Sequence, residues 1–518
     1  MTAKTRYDEL STERTQFLDE ARQASELTLP YLIRGHEESY TGMKHLKTPW
    51  QSVGAKGVVT LASKLMLALL PPQTSFFKLQ LDESQIGQEF GPDIRSELDL
   101  SFAKVERTIL ESIAASDDRV AVHQALQHLV VAGNALIFMA KDGLKVFPLN
   151  RYVVERDGNG NVLEIVTKER ISKKLLADEL PEYEEPLNED SNYRADECDV
   201  YTHVKRENNR VVWHQEVHGK VLPKSISKAP IDANPWLPLR FNTVDGEAYG
   251  RGRVGQFIGD LKSLEALSQA LVEGSAAAAK VVFVVSPSST TKPATLASAG
   301  NGAIVAGRPD DIGVIQVGKT ADFGTAFQMT QVYERRLSEA FLIMNPRNAE
   351  RVTAEEVRMT QLELEQQLGG LFSLLTVEFL VPYLNRKLSV AQKKGEVPRI
   401  PKGIVKPTIV AGINSLGRGQ DAVSLAQFLQ TIAQTMGPEA IAQYINPTEV
   451  VKRLAAAQGI DVLNLVKSVQ ELQQEQQAAQ QMQQQQMQAE QQTAMLKTPM
   501  MDPTKNPQLA QQLTPPEE

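Results

Sequence analysis

The sequence predicts an α+β chain, mainly α, and three observations carry that reading. Long stretches in both halves place apolar residues three and four apart, the spacing of an amphipathic helix. One block, Ala135 to Asn242, alternates apolar and polar residues around Gly and Asn, as strands joined by tight turns do. From Glu471 to Met495 about half the residues are Gln, and a Pro- and Thr-rich end follows. Such a composition cannot bury a core, so a disordered tail is expected there.

The elements follow in order. Leu10, Phe17, Ala21 and Ala24 predict a first helix over roughly the first 30 residues, stopped by Pro30. A second is expected from Val53 to Leu70, before Pro71 and Pro72, and a third around Ile94 to Ala115. A fourth, His123 to Val131, ends at Gly133 and leads into the apolar run ALIFMA. YVVERDGNGNVLEIV and DVYTHVKRENNRVVWHQEV read as two hairpins, with the acidic stretch DELPEYEEPLNEDSN a solvated loop between them.

Val254, Phe257, Ile258, Leu261, Leu264, Leu267 and Leu271 then predict one long helix of ~25 residues, roughly 38 Å. The strand VVFVV, a Ser/Thr/Pro loop and AIVAGRPDDIGVIQV follow. A second long helix carries the seam Phe323, Phe327, Thr330, Leu337, Phe341 and Met344. Beyond the polar loop NPRNAER (from Asn345), Thr353 with Glu356 makes a capping box. It opens a third long helix with the seam Val357, Leu364, Leu368, Leu371, Leu375 and Phe379 and an expected kink at Gly369 and Gly370. Short helices are expected between Asp421 and Val469.

Composition bounds the function. At 518 residues the chain has room for roughly three or four domains. Its 42% hydrophobic and 23% charged residues are ordinary for a globular protein. No uninterrupted apolar run approaches the ~20 residues of a membrane span, so no membrane partner is expected. Cys198 is the only cysteine, which excludes an intramolecular disulfide and a four-cysteine zinc site. With the charged start MTAKTRYDEL, this fits folding in a reducing cytoplasm. A net charge of −8 argues against tight wrapping of nucleic acid, without excluding a protein that lets DNA slide past.

Several motifs resemble chemical sites. Gly313 to Thr320, with Lys319, matches the phosphate-loop pattern literally, yet its variable positions Val, Ile, Gln and Val prefer an extended strand. The expectation is a strand running into a helix. Gly250, Gly252 and Gly255 satisfy GxGxxG without a surrounding βαβ unit, and a turn or close helix approach explains them better. Asp157, Asn159 and Asn161 start like a calcium loop but belong to a hairpin turn. His214 and His218 have zinc-ligand spacing for a helix, but their segment alternates like a strand. No catalytic set, metal or cofactor is expected.

Seven blocks carry a resemblance, in matching order over roughly residues 5 to 470. They are TPWQSVGAKGVVTLASKLMLALLPPQTSFFKL (from Thr48), LQHLVVAGNALIF (from Leu126), YVVERDGNGNVLEIVT (from Tyr152), DGEAYGRGRVGQFIGDLKSLE (from Asp245), ERVTAEEVR (from Glu350), LEQQLGGLFSLL (from Leu364) and PTIVAGINSLGRGQD (from Pro407). The chain resembles the head-to-tail connector, or portal, family of short-tailed phages that carry their own RNA polymerase. That resemblance implies a non-enzymatic, dodecameric ring at one capsid vertex, assembled in the host cytoplasm and carried in the virion. Double-stranded DNA would pass through it without sequence readout. The implied partners are the large terminase ATPase, the major capsid and scaffold proteins, and tail adaptor proteins.

The implied subdomains are a wing (1–252), stem helices (253–280 and 321–344) and a β-rich clip (281–320). A tunnel loop (345–352), a long kinked wing helix with its connection (353–407), a helical crown (408–470) and the Gln-rich tail (471–518) complete the chain. Arg347, Asn348 and Arg351 of the tunnel loop would meet DNA. Lys292, Arg308, Asp310 and Asp311 of the clip would meet the motor and then the tail. Two rival readings are a packaging ATPase using Lys319 and a purely structural capsid or scaffold protein.

Overall fold

The structure is a computed structural model that describes residues 2–34, 46–71, 76–81, 92–141, 143–172, 174, 197–278, 282–288, 292–300, 304, 306, 308, 310, 312–315, 320–343, 368–398, 405–409, 418–437, 445 and 450. The chain divides into two compact units, residues 1–416 and 417–518.

In the first unit, helix α1 (Ala3–Glu26) buries a stripe of Ala3, Tyr7, Leu10, Arg14, Leu18 and Ala21, spaced i, i+4, i+7; of the expected seam Leu10, Ala21 and Ala24 are buried and Phe17 is half-buried. The stripe crosses two environments. Ala3, Tyr7 and Leu10 pack on Val153, Val166 and Tyr201 of a sheet, whereas Leu18, Ala21 and Ala24 enter the main core. Arg14 is buried between them, donating from Nη1 to the Tyr7 hydroxyl (2.8 Å) and the Tyr152 carbonyl (2.9 Å). The helix ends four residues before Pro30, because the Ser25 and Thr28 hydroxyls take the carbonyls of Leu29 and Ala24.

Helices α2 (Val53–Leu69), α3 (Pro92–Ala114) and α4 (Asp118–Ala132) fall where the periodicity puts them, within a few residues. Helix α4 is central. Val122, Ala125, Leu126, Leu129, Val130 and Val131 are all buried, each larger side chain contributing about 1.5–3 kcal/mol. It ends at Gly133, whose φ of +74° is a left-handed cap. A Cβ there would sit 2.4 Å from the Gly252 nitrogen, and one on Gly252 would sit 2.6 Å from the Val131 carbonyl. Gly250 and Gly252 of the GxGxxG match therefore serve close backbone approach, as expected, whereas a Cβ on Gly255 would meet open space. Buried Asn134 ties the junction, giving from Nδ2 to Gly250 O and accepting at Oδ1 from Gly250 N, both at 2.7 Å.

The strand block forms antiparallel sheets. Strand β1 (Phe77–Leu81) pairs with the much later β13 (Val405–Ile409). β2 (Asn134–Met139) lies between β3 (Leu144–Phe147) and β10 (Trp236–Arg240). The larger sheet runs β4 (Tyr152–Arg156), β5 (Val162–Ser172), β6 (Glu197–Glu207), β7 (Arg210–Val217) and β8 (Lys220–Val221), with β9 (Ser227–Pro230) also on β7. Both predicted hairpins are present. Between β4 and β5, Asp157 Oδ1 accepts from the backbone N–H groups of Asn159 (3.0 Å) and Asn161 (2.7 Å), so the calcium-like triplet closes a turn. His214 sits in strand β7, and His218 in the following turn at φ +49°.

Two expectations about the long helices change. The helix expected from Val254 to Leu271 is broken at Phe257 (φ −117°, ψ 17°) into α5 (Arg253–Gln256) and α6 (Ile258–Ala278). After strands β11 (Val282–Val285) and β12 (Ile312–Ile315), with the short helix α7 (Pro293–Ala297) between them in sequence, α8 (Thr320–Ala340) returns.

In α9 (Leu368–Lys394) the irregularity is a wide π turn at Thr376–Leu380, and Gly369 and Gly370 lie in ordinary helix. Pro382, at the start of the following turn, cannot donate a backbone hydrogen bond, which disfavours regular α pairing there. The turn presents Glu378 to Arg240, which bonds it through its backbone N–H (2.9 Å), Nε (2.9 Å) and Nη2 (2.6 Å). By length and mean hydropathy α9 could cross a membrane, although no uninterrupted apolar run marks it. Its Leu371, Leu375, Phe379, Leu380, Tyr383 and Leu384 are buried against the protein, as in a core helix. The capping box at Thr353 and the seam residues Val357 and Leu364 lie outside the described residues.

In the second unit the principal described element is helix α10 (Arg418–Met436), which starts before Asp421 and at 19 residues is longer than the short helices expected there.

Candidate nucleic-acid and docking interface

The functional expectations converge on α6 and α8 and on the chain at either end of them. The two helices pack on each other through Gly274, where a Cβ would meet the Phe323 ring at 2.5 Å, and through an Arg336–Asp260 ion pair (3.6 Å). At the base the pair is anchored in the core by Leu261, Leu264, Leu337 and Phe341, all fully buried. Phe341 lies on Gly57 of α2, leaving 2.6 Å where a Cβ would stand.

Away from the base the burial stops. Val272, Phe327, Met329 and Val332 are each about half exposed (42–56%), although Phe327 was expected on the inner seam. Thr330 is the buried residue of that turn, its hydroxyl turned back to the Ala326 carbonyl (2.9 Å).

The C-terminus of α8 is held by residues that sequence reasoning did not single out. Leu342 adopts φ +56°, a left-handed conformation that costs a non-glycine residue about 1–2 kcal/mol. The backbone N–H of Ile343 donates to Ser338 O (2.8 Å), the closing bond of a left-handed helix cap. Two cations complete the cap: Lys64 Nζ donates to Leu342 O (2.6 Å), and Arg253 donates from Nε (3.3 Å) and Nη2 (3.1 Å) to Ala340 O. Burial lowers the pKa of both below their usual values, and the negative end of the helix favours their charge. The segment expected to face DNA thus leaves from a tightly specified point. Arg347, Asn348 and Arg351 themselves lie outside the described residues. The cap had one faint signal, a basic residue directly after Gly252; nothing in the sequence points from Lys64 to α8.

Of the expected docking residues, Lys292, Arg308 and Asp310 are exposed, and Asp311 lies outside the described residues. Ile304 is fully exposed beside them in sequence. The phosphate-loop match resolves as composition suggests at both ends. Gly313 is mid-strand in β12, paired with Val284 of β11, and Thr320 begins α8. Lys319 lies outside the described residues.

The family model described as bacteriophage head to tail connecting protein matches residues 1–465. The chain belongs to that family. Connecting proteins of this family include curated relatives named portal protein. That of Escherichia phage T7 is 36% identical over 485 residues, covering 91% of this chain and 89% of the relative. That of Enterobacteria phage T3 is 37% identical over 482 residues, with the same coverages. That of Enterobacteria phage SP6 is 30% identical over 484 residues, covering 90% of each. Among solved structures, a chain in the neck of an empty gene transfer agent particle superposes with a TM-score of 0.40 at 11% identity, covering 79% of this chain and 90% of that one. So slight a likeness bears no further weight.

Proposed function

We propose that this chain is the portal of a short-tailed phage: a ring at one capsid vertex through which double-stranded DNA is packaged and later ejected. The observation that carries the reading is family membership over residues 1–465, at 36% identity to a named portal protein across nearly the whole of both chains. The helix pair supports it physically. Apolar side chains left uncovered along two antiparallel helices suit a subunit that buries them against copies of itself.

In this reading the ring is a dodecamer, α6 and α8 are its stem, and residues 281–320 are its clip. Lys292, Arg308, Asp310 and Asp311 meet the large terminase during packaging and tail adaptors afterwards, while capsid and scaffold proteins surround the ring. Arg347, Asn348 and Arg351 repeat around the axis and touch phosphates without reading bases. Each phosphate contact is worth about one unit of salt slope, so the ring clamps DNA yet lets it slide.

Electron microscopy of the purified full chain tests the ring. A ring with a central hole is expected; closed shells or monomers at all concentrations sink the reading. For the loop, Arg347→Ala with Arg351→Ala in filled heads should leave rings and DNA entry near normal while packaged DNA leaks early. Wild-type retention would remove the clamp.

A further inference from the structure

Three side chains on the face of the larger sheet that α1 covers form a constellation with no part in the portal reading. His203 of β6 and His214 of β7 are direct cross-strand partners, and Glu216 lies two residues beyond His214, on the same face. One donor atom from each lies within 4.8 Å of the other two. From these groups we propose that His203, His214 and Glu216 bind one divalent transition-metal ion, with zinc as the best chemical fit.

Two imidazoles and one carboxylate are a borderline-soft donor set that suits Zn²⁺ and leaves a fourth position to water. Metal–ligand lengths of about 2.0–2.2 Å place tetrahedral donors about 3.3 Å apart, so the side chains close in by at most about 1.5 Å. Rotation about the side-chain bonds supplies that. The outer groups are already placed. Glu164 of β5 sits on Nε2 of His203, where a carboxylate orients and strengthens a metal-bound imidazole. The other Glu216 oxygen accepts from the backbone N–H of Ala3 (2.6 Å), at the first turn of α1. His214 Nε2 meets Glu216 Oε1 at 3.0 Å, so the ion replaces a proton shared between them.

Access and charge are compatible. His203 and Glu216 are buried, whereas the His214 side chain is about one quarter exposed and opens a path. Two cations lie near. Arg6 is neutralised by Glu155 (2.5 Å) and Glu164 (3.0 Å), and Lys205 stands 3.8 Å from Glu164. An ion here would tie the β6–β7 hairpin, through Glu216, to the start of α1.

The bland alternative is a hydrogen-bonded network that only seats α1, and the two separate on metal affinity. The full chain, prepared without a polyhistidine tag and stripped with a chelator, is titrated with zinc chloride against a chromogenic competitor, then with cobalt chloride for its visible d–d bands. One equivalent per chain is expected, with cobalt bands of tetrahedral intensity. His214→Gln and Glu216→Gln should each weaken binding at least ten-fold. Glu164→Gln should weaken it about 10–100-fold, as loss of an outer partner does. His218→Ala, in the neighbouring turn, should bind like wild type.

Absence of saturable binding by wild type overturns the proposal. So does His214→Gln at wild-type affinity, or equal loss in His218→Ala. If His214→Gln does not fold, Glu216→Gln with the wild-type cobalt spectrum decides, and unchanged affinity or octahedral bands count against the site.

Discussion

Helices α4 and α6 are written in nearly the same alphabet of Ala, Leu and Val, yet they meet different fates. Around α4 the chain supplies neighbours on most sides: α2, β2 and β3 pack on it, and its caps are Asp117 and Gly133. Among the described residues helix α6 receives the core at Leu261 and Leu264 and accepts from the Trp50 N–H at Glu265; beyond that its main neighbour is α8, and apolar side chains of both helices face outward. The body is therefore stabilised by the folded subunit itself. The helix pair is stabilised only in part, and in the proposed ring its remaining apolar surface would become stabilising where another copy covers it.

The sharpest way to break that contrast is on the outer face of α8. Phe327→Asp with Val332→Asp should abolish ring assembly, seen by light scattering and microscopy. Because both positions are exposed, the monomer's unfolding free energy should change by no more than about 1 kcal/mol. Normal rings would mean that the helix pair needs no covering.

In the body the largest expected effect is at Asp118, fully buried at the start of α4. It accepts from the Tyr383 hydroxyl (2.5 Å) and pairs with Lys387 (2.6 Å), binding α9 to α4. Asp118→Ala strands the Lys387 charge and should cost about 3–5 kcal/mol, measured as a lowered denaturant midpoint with an unchanged slope. Tyr383→Phe removes one hydrogen bond and should cost about 1–3 kcal/mol.

His128 on α4 gives the body a pH signature. It is buried without a partner for Nδ1 among the described residues, and burial pushes its pKa down from about 6.5 to about 4. Below the unfolded value the unfolded chain takes up a proton that the folded chain refuses, so stability is lost as pH falls from 6.5 to 4. The loss approaches about 3 kcal/mol. His128→Gln should flatten that part of the stability profile; an unchanged profile would assign the slope to other groups.

The smallest expected effect is at the foot of α8. Lys319→Ala should leave assembly, packaging and subunit stability unchanged, since the variable positions of the match, Val, Ile, Gln and Val, prefer an extended strand to a phosphate cradle. ATP turnover by wild-type rings that this variant loses would restore the phosphate-loop reading.

Legibility followed the range of the interactions. The four N-terminal helices, both hairpins and the Gly133 cap could be read because periodicity, turn residues and caps act within a few residues. The break at Phe257 and the π turn before Pro382 escaped, since seam spacing does not register one residue out of helical geometry. The candidate metal site was half legible. A hairpin turning at Asn208 and Asn209 sets His203 opposite His214, and the alternation puts Glu216 on their face. The partners Glu164 and Ala3 come from another strand and from the chain's first turn.

By itself the sequence determined the four N-terminal helices, both hairpins and, through seven collinear blocks, the family. Tertiary structure decided which equally apolar helices are buried, that β1 finds β13 across more than 300 residues, and that Lys64 and Arg253 cap α8. The physical reason is separation along the chain. Local hydrogen bonds and side-chain spacing leave a pattern wherever they occur, whereas burial and long-range pairing depend on neighbours that only the folded chain brings together.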